Sequence, residues 1–94
     1  MIAPCIELVV VEYLQATNEL SVGARTAIMA GSRCTKTDGC GASLIAWQFT
    51  CTHDQAIQIR AALCALASQE SNRERRSHLL AAEHTIADTM LNRS

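Results

Sequence analysis

The segment TAIMAGSRCTKTDGCGASLIAWQFTC, residues 26–51, reads as a β-hairpin. Asp38-Gly39 is a two-residue turn signal, because both residue types tolerate the positive φ of a tight hairpin loop. With those two residues as the loop, Thr37 faces Cys40 and paired residues sum to 77. Ile28 then lies opposite Phe49, Ala30 opposite Trp47 and Ser32 opposite Ile45. Opposed residues share a face of the sheet, so this register gathers Trp47, Phe49 and both isoleucines on one side. The other face, with Arg33–Leu44, Met29–Gln48 and Ala27–Thr50, is mixed. Turn chemistry and face pattern point the same way, and such agreement between levels is what a specified fold requires.

Glycine and proline punctuate the chain only on one side of this hairpin. All four glycines and Pro4 lie at or before Gly41, and residues 42–94 contain neither. The chain therefore turns tightly early and runs in long regular elements later. From Thr52 the pattern is helical. Thr52-His53-Asp54-Gln55 fits a capping box, in which the N-cap hydroxyl and a Gln three residues on satisfy each other's backbone N–H groups. Ala56, Ile59, Leu63, Leu66 and Ala67 follow on one face, widened by Ile57 and Cys64. A second box at Ser71-Asn72-Arg73-Glu74 predicts a second helix, with Leu79, Leu80, Ile86, Ala87, Met90 and Leu91 on its stripe. Helices at about 53–69 and 72–91 with so short a joint form an antiparallel helical hairpin over 53–91. The competing reading is one long helix kinked near Ser71, since no glycine ends the first.

On the N-terminal side, residues 4–18 contain the strand-forming run Leu8-Val9-Val10-Val11. Periodicity favours a helix. Ile6, Val9, Val10, Tyr13, Leu14 and Ala16 share a broad face, and strict alternation would put Glu12 among the apolar residues. Pro4 suits a first helical turn. The expected fold is thus a single α+β domain over 1–94, in the order α-β-β-α-α, with an antiparallel hairpin packed on helices. If residues 5–14 are a strand instead, the fold is a three-stranded β-meander followed by two helices.

The composition bounds the function. The chain has 94 residues, 49% of them hydrophobic but only 3% aromatic, and a net charge of −1. Its core must be aliphatic, and the surplus of apolar side chain points to a subunit interface. A near-neutral charge gives no general attraction to nucleic acid or anionic lipid. No stretch approaches a membrane span. Five cysteines, an odd number, and a start without a basic, uninterrupted apolar leader lead us to expect a cytoplasmic protein with reduced thiols.

Few residues carry chemistry. Glu83 interrupts the apolar stripe of the last helix, and a charge there needs a partner. Arg60, flanking the apolar face of the preceding helix, can reach it across an antiparallel hairpin; Arg76 of a second subunit is the alternative. Arg73, Arg75 and Arg76 open the last helix, where free backbone N–H groups and guanidinium groups together can hold an anion or a partner's carboxylate. Glu70 and Glu74 lie close enough to neutralise them. Cys34, Cys40, Cys51 and His53, with five, ten and one intervening residues, lack the paired short spacings of common zinc modules. No metal, cofactor or catalytic residue is assigned. Trp47, Phe49, Leu79, Ile86 and Met90 are the candidates for an interface or a pocket.

The expected function is a non-enzymatic binding or regulatory protein acting as a homodimer. Its interface would use the Leu79–Leu91 stripe, the Ile6–Leu14 face or the hairpin edge, since a lone hairpin leaves edges that must be covered or paired. One alternative is a nucleic-acid-binding regulator using Arg73, Arg75 and Arg76. Another is a ligand-binding or enzymatic domain with a pocket near Trp47 and Glu83.

Overall fold

The computed structural model describes residues 1–37 and 40–92. Its elements run β1 (Cys5–Glu7), α1 (Leu8–Ala16), α2 (Val22–Met29), β2 (Ser32–Thr37), β3 (Ser43–Gln48), α3 (His53–Gln69) and α4 (Arg73–Leu91). The fold is α+β, with an antiparallel three-stranded sheet in the order β1-β3-β2. No helix among the described residues is long and apolar enough to cross a membrane.

The N-terminal segment departs from the single helix expected over 4–18. Its first residues are extended and lie antiparallel to the end of the hairpin. Ile2 bridges Cys51, Cys5 pairs with Gln48, Ile6 with Trp47 and Glu7 with Ala46. The Phe49 N–H donates to the Pro4 carbonyl at 3.3 Å. Ile2, Pro4 and Ile6 therefore share a face with Cys51, Phe49 and Trp47, and all but half-buried Trp47 are buried. Pro4 opens a strand rather than a helix, where its missing N–H costs nothing. The helical period begins only at Leu8, and Val10, Val11 and Leu14 are the buried residues of α1. The chain thus uses period two through Ile6 and period 3.6 after it.

The first half of the expected hairpin is also corrected. Residues 22–29 form a helix, because the Ser21 side chain caps α2 by accepting from the Ala24 N–H at 3.2 Å. The Arg25 guanidinium donates to the carbonyls of Gln15, at 2.7 Å, and Thr17. It places a cation at the C-terminal end of α1, where the helix dipole favours one. The strands occupy 32–37 and 43–48 rather than the whole of 26–51, and their register sums to 80: Ser32 pairs with Gln48, Arg33 with Trp47, Thr35 with Ile45 and Thr37 with Ser43. Thr37 does not face Cys40, and the Asp38-Gly39 turn lies outside the described residues. The connection is longer than two residues, and the odd shift of three exchanges the faces of β2 relative to β3.

The helical hairpin has the expected bounds for α3 and starts α4 at Arg73. Thr52 and Gln55 form the capping box. The cap of α4 is Asn72, which accepts from the Arg75 N–H at 3.1 Å, instead of Ser71. One hydrophobic cluster joins the sheet and the helices: Ile6 and Phe49 with Val10, Leu14, Ile28, Ile59, Leu63, Leu79 and Ile86. Ile57 and Cys64, expected on the inner face of α3, are exposed.

Candidate functional site

Most of the apolar residues proposed for an interface are used inside the chain. Phe49, Leu79 and Ile86 are buried, and Met90 packs against the core. Trp47 is half-buried, and its indole N–H donates to the Ile28 carbonyl at 2.8 Å. That bond ties β3 to the end of α2, so Ile28 and Trp47 meet although Ile28 is helical rather than a strand residue. Neither Trp47 nor Glu83 lines the cleft between Tyr13, Thr17, Leu66 and Leu79 or the one between Cys64, Arg76 and Leu80.

Arg60 and Glu83 are brought together by the antiparallel packing of α3 on α4. Arg60 Nη2 lies 2.7 Å and Nε 2.8 Å from the same carboxylate oxygen, Oε1. The side chains are 38% and 13% exposed, so the arginine is partly solvated and the carboxylate mostly desolvated. His84 Nε2 stands 3.9 Å from the other oxygen. This arrangement satisfies the charge inside the stripe. Truncation as Arg60→Ala is expected to cost about 1–2 kcal/mol, because it leaves a mostly buried carboxylate without its donor. Glu83→Gln keeps an acceptor for Arg60 and should cost about half of that, read as denaturation midpoints in urea.

The three arginines of α4 do not form one site. Arg76 directs Nε and Nη2 to the backbone carbonyl of Glu70, at 3.1 and 2.6 Å. It closes the C-terminal end of α3, a role the helix dipole explains. Arg73 and Arg75 are exposed and have no ion-pair partner among the described residues. His78, also on α4, reaches Glu7 of β1 at 2.9 Å.

The cysteines are arranged differently from any grouping the sequence offers. No disulfide joins them, and no group of three or more metal-ligating side chains occurs among the described residues. Cys34 neighbours neither Cys51 nor His53 in a ligand cluster. Its sulfur instead lies 3.0 Å from the sulfur of Cys5. Both thiols are half-buried. Burial, reinforced by the adjacent Cys34 thiol, pushes Cys5 up to about 11, while nearby Lys36 acts in the opposite direction. Burial likewise raises Cys51. Only the existence of β1 brings Cys5 to the sheet, so sequence spacing held no sign of this pair.

The strand β2 pairs with β3 on one side, and its outer edge has no pairing strand among the described residues. It presents Arg33, Thr35 and Thr37 as exposed residues. Beside it on β3, Leu44 is 39% and Ile45 64% exposed. No family model matches this chain, and no match to it was found among the curated proteins or the solved structures.

Proposed function

We propose that the protein is a non-enzymatic binding module that works as a homodimer, two copies joining along the outer edge of β2. The observation that carries this reading is the open edge. Of the three surfaces considered for an interface, the Ile6–Leu14 face is largely turned into the core, and the Leu79–Leu91 stripe buries Leu79 and Ile86 while Leu80 and Leu91 stay exposed. The hairpin edge is the one of the three that offers a run of unpaired strand backbone. An uncovered edge is a row of unsatisfied backbone donors and acceptors that pairs readily with another strand.

The residues of β2 tolerate such pairing. In an antiparallel ladder the N–H and C=O of one residue point to the same side, and the next residue points to the other. Two copies of one strand therefore oppose residues of equal parity. Arg33 never faces Lys36 directly. A register centred on Thr35 sets that residue against itself, and one centred on Cys34 sets Arg33 against Thr35. The joined sheet has six strands, and both copies present Ile45 on one face. In this reading the protein acts in the cytoplasm, where its odd set of cysteines stays reduced.

Sedimentation over micromolar concentrations tests the reading, with a concentration-dependent dimer expected. Thr35→Lys puts like charges opposite each other in both registers and should weaken the dimer roughly five- to thirty-fold. Thr35→Val should preserve or tighten it. A wild-type monomer throughout that range, or a dimer indifferent to Thr35→Lys, overturns the proposal.

A further inference from the structure

We propose that Cys5 and Cys34 are a reversible redox site, oxidised by a small hydroperoxide to a disulfide that joins the two outer strands of the sheet across β3. Cys5 pairs with Gln48 and Cys34 with Ala46, so both side chains lie on the same face, on either side of the central strand. On that face of β3 stand Gln48, opposite Cys5, and Ala46, opposite Cys34, whose single methyl takes little room. The two sulfurs lie 3.0 Å apart. Formation of the bond closes the sulfurs by about 1 Å, to the usual length near 2.05 Å, and draws the two outer strands together until their Cα atoms lie within about 7 Å.

The two thiols have distinct parts. Cys5 is held protonated by burial and by its neighbour, which makes it the resolving partner. Cys34, on the open-edged strand β2, is the nucleophile. The Cys34 thiolate attacks one peroxide oxygen. The O–O bond breaks, the distal oxygen leaves as hydroxide, and Cys34 becomes a sulfenic acid. The Cys5 sulfur then attacks the Cys34 sulfur. The S–S bond forms, the S–O bond breaks, and the departing hydroxide takes the Cys5 proton as water. With hydrogen peroxide, two thiols and one peroxide give one disulfide and two waters. A dithiol reductant returns the pair.

The disulfide closes a loop between residues 29 apart in sequence. A loop of that length constrains the unfolded chain enough to raise Tm on the order of 10–20 °C. The test uses the full reduced chain, treated with an equivalent of hydrogen peroxide, blocked with N-ethylmaleimide and digested with trypsin without reductant. We expect peptide 1–25 linked to peptide 34–36, two hydrogens lighter than their sum and separated again by dithiothreitol. Cys5→Ser should instead accumulate a dimedone-reactive sulfenic acid on Cys34, and the linked species should melt higher than the reduced protein. The urea-unfolded chain, given the same peroxide, should lose this preference. A dominant link through Cys40, Cys51 or Cys64, a Cys34–Cys34 link between copies, or passage of Cys34 to sulfinic acid while Cys5 stays a thiol overturns the proposal.

Discussion

Replacing Gly31 by alanine is expected to destabilise the protein by about 2–3 kcal/mol, whereas the same change at Gly23 is expected to stabilise it. Gly31 lies between the end of α2 and the start of β2. A Cβ there would meet the Gln48 carbonyl oxygen and Trp47 Nε1 at 2.5 Å each, and Phe49 Cβ at 2.9 Å. The carbonyl belongs to the backbone of β3 and cannot swing away. The indole is held by its bond to the Ile28 carbonyl. Relief requires moving α2 away from the sheet, a strain of the size measured for overpacked cores. For a domain of this length it should lower Tm by roughly 10–20 °C. Gly23 lies inside α2, and a Cβ there would meet only Gln55 Nε2 at 3.4 Å, an ordinary contact. Alanine should therefore contribute its helix propensity and a stiffer unfolded chain, about 0.4–1 kcal/mol. Equal effects at the two positions would show that the close approach at Gly31 is absent in solution.

The same junction explains which parts of the fold were legible in the sequence. The helical hairpin was, because its signals are local: Thr52 and Gln55 cap α3, and antiparallel packing about a joint near residue 71 brings Arg60 to Glu83. The inward face of Trp47 and Phe49 was legible too. Residues two apart on an extended chain share a face whatever the strand pairs with. The partner of that face was not. Asp38-Gly39 reads as a two-residue loop, yet β2 ends at Thr37 and β3 begins at Ser43, so an odd offset sets Arg33 rather than Ala30 beside Trp47. The residues given to the upper part of the first strand, Thr26 to Met29, instead belong to a helix capped by Ser21. Its cap lies outside the segment on which the hairpin pattern was read. At the N-terminus, three strand residues are too few to show a period, and their pairing with residues 46–48 is non-local. A third strand within residues 5–14 was legible only as an alternative; its confinement to Cys5–Glu7 and its partners were not, and so neither was the Cys5–Cys34 contact.

Phe49→Ala is expected to destabilise the protein by about 3–5 kcal/mol. Phe49 is 2% exposed and is the largest fully buried side chain in an otherwise aliphatic core. Removing a buried phenylalanine costs about 3–5 kcal/mol, the lost transfer free energy plus the cavity left behind. A domain of this length has a total stability of roughly 5–14 kcal/mol, so the substitution removes a large share of it. Phe49→Leu fills most of the volume and should cost only about 1.5 kcal/mol. Ile45→Ala provides the contrast. Ile45 lies on the same face, four residues earlier, but is 64% exposed, at an open cleft beside Leu8, Val9 and Glu12 of α1. Its truncation should stay within about 0.5 kcal/mol. Urea melts of the three variants measure this gradient directly. A large cost at Ile45 in the wild-type assembly but not in a Thr35→Lys monomer would place Ile45 in the dimer. A small cost at Phe49 would mean that the face of 47, 49 and 51 does not close on the helices, and the fold described here would then be wrong at its centre.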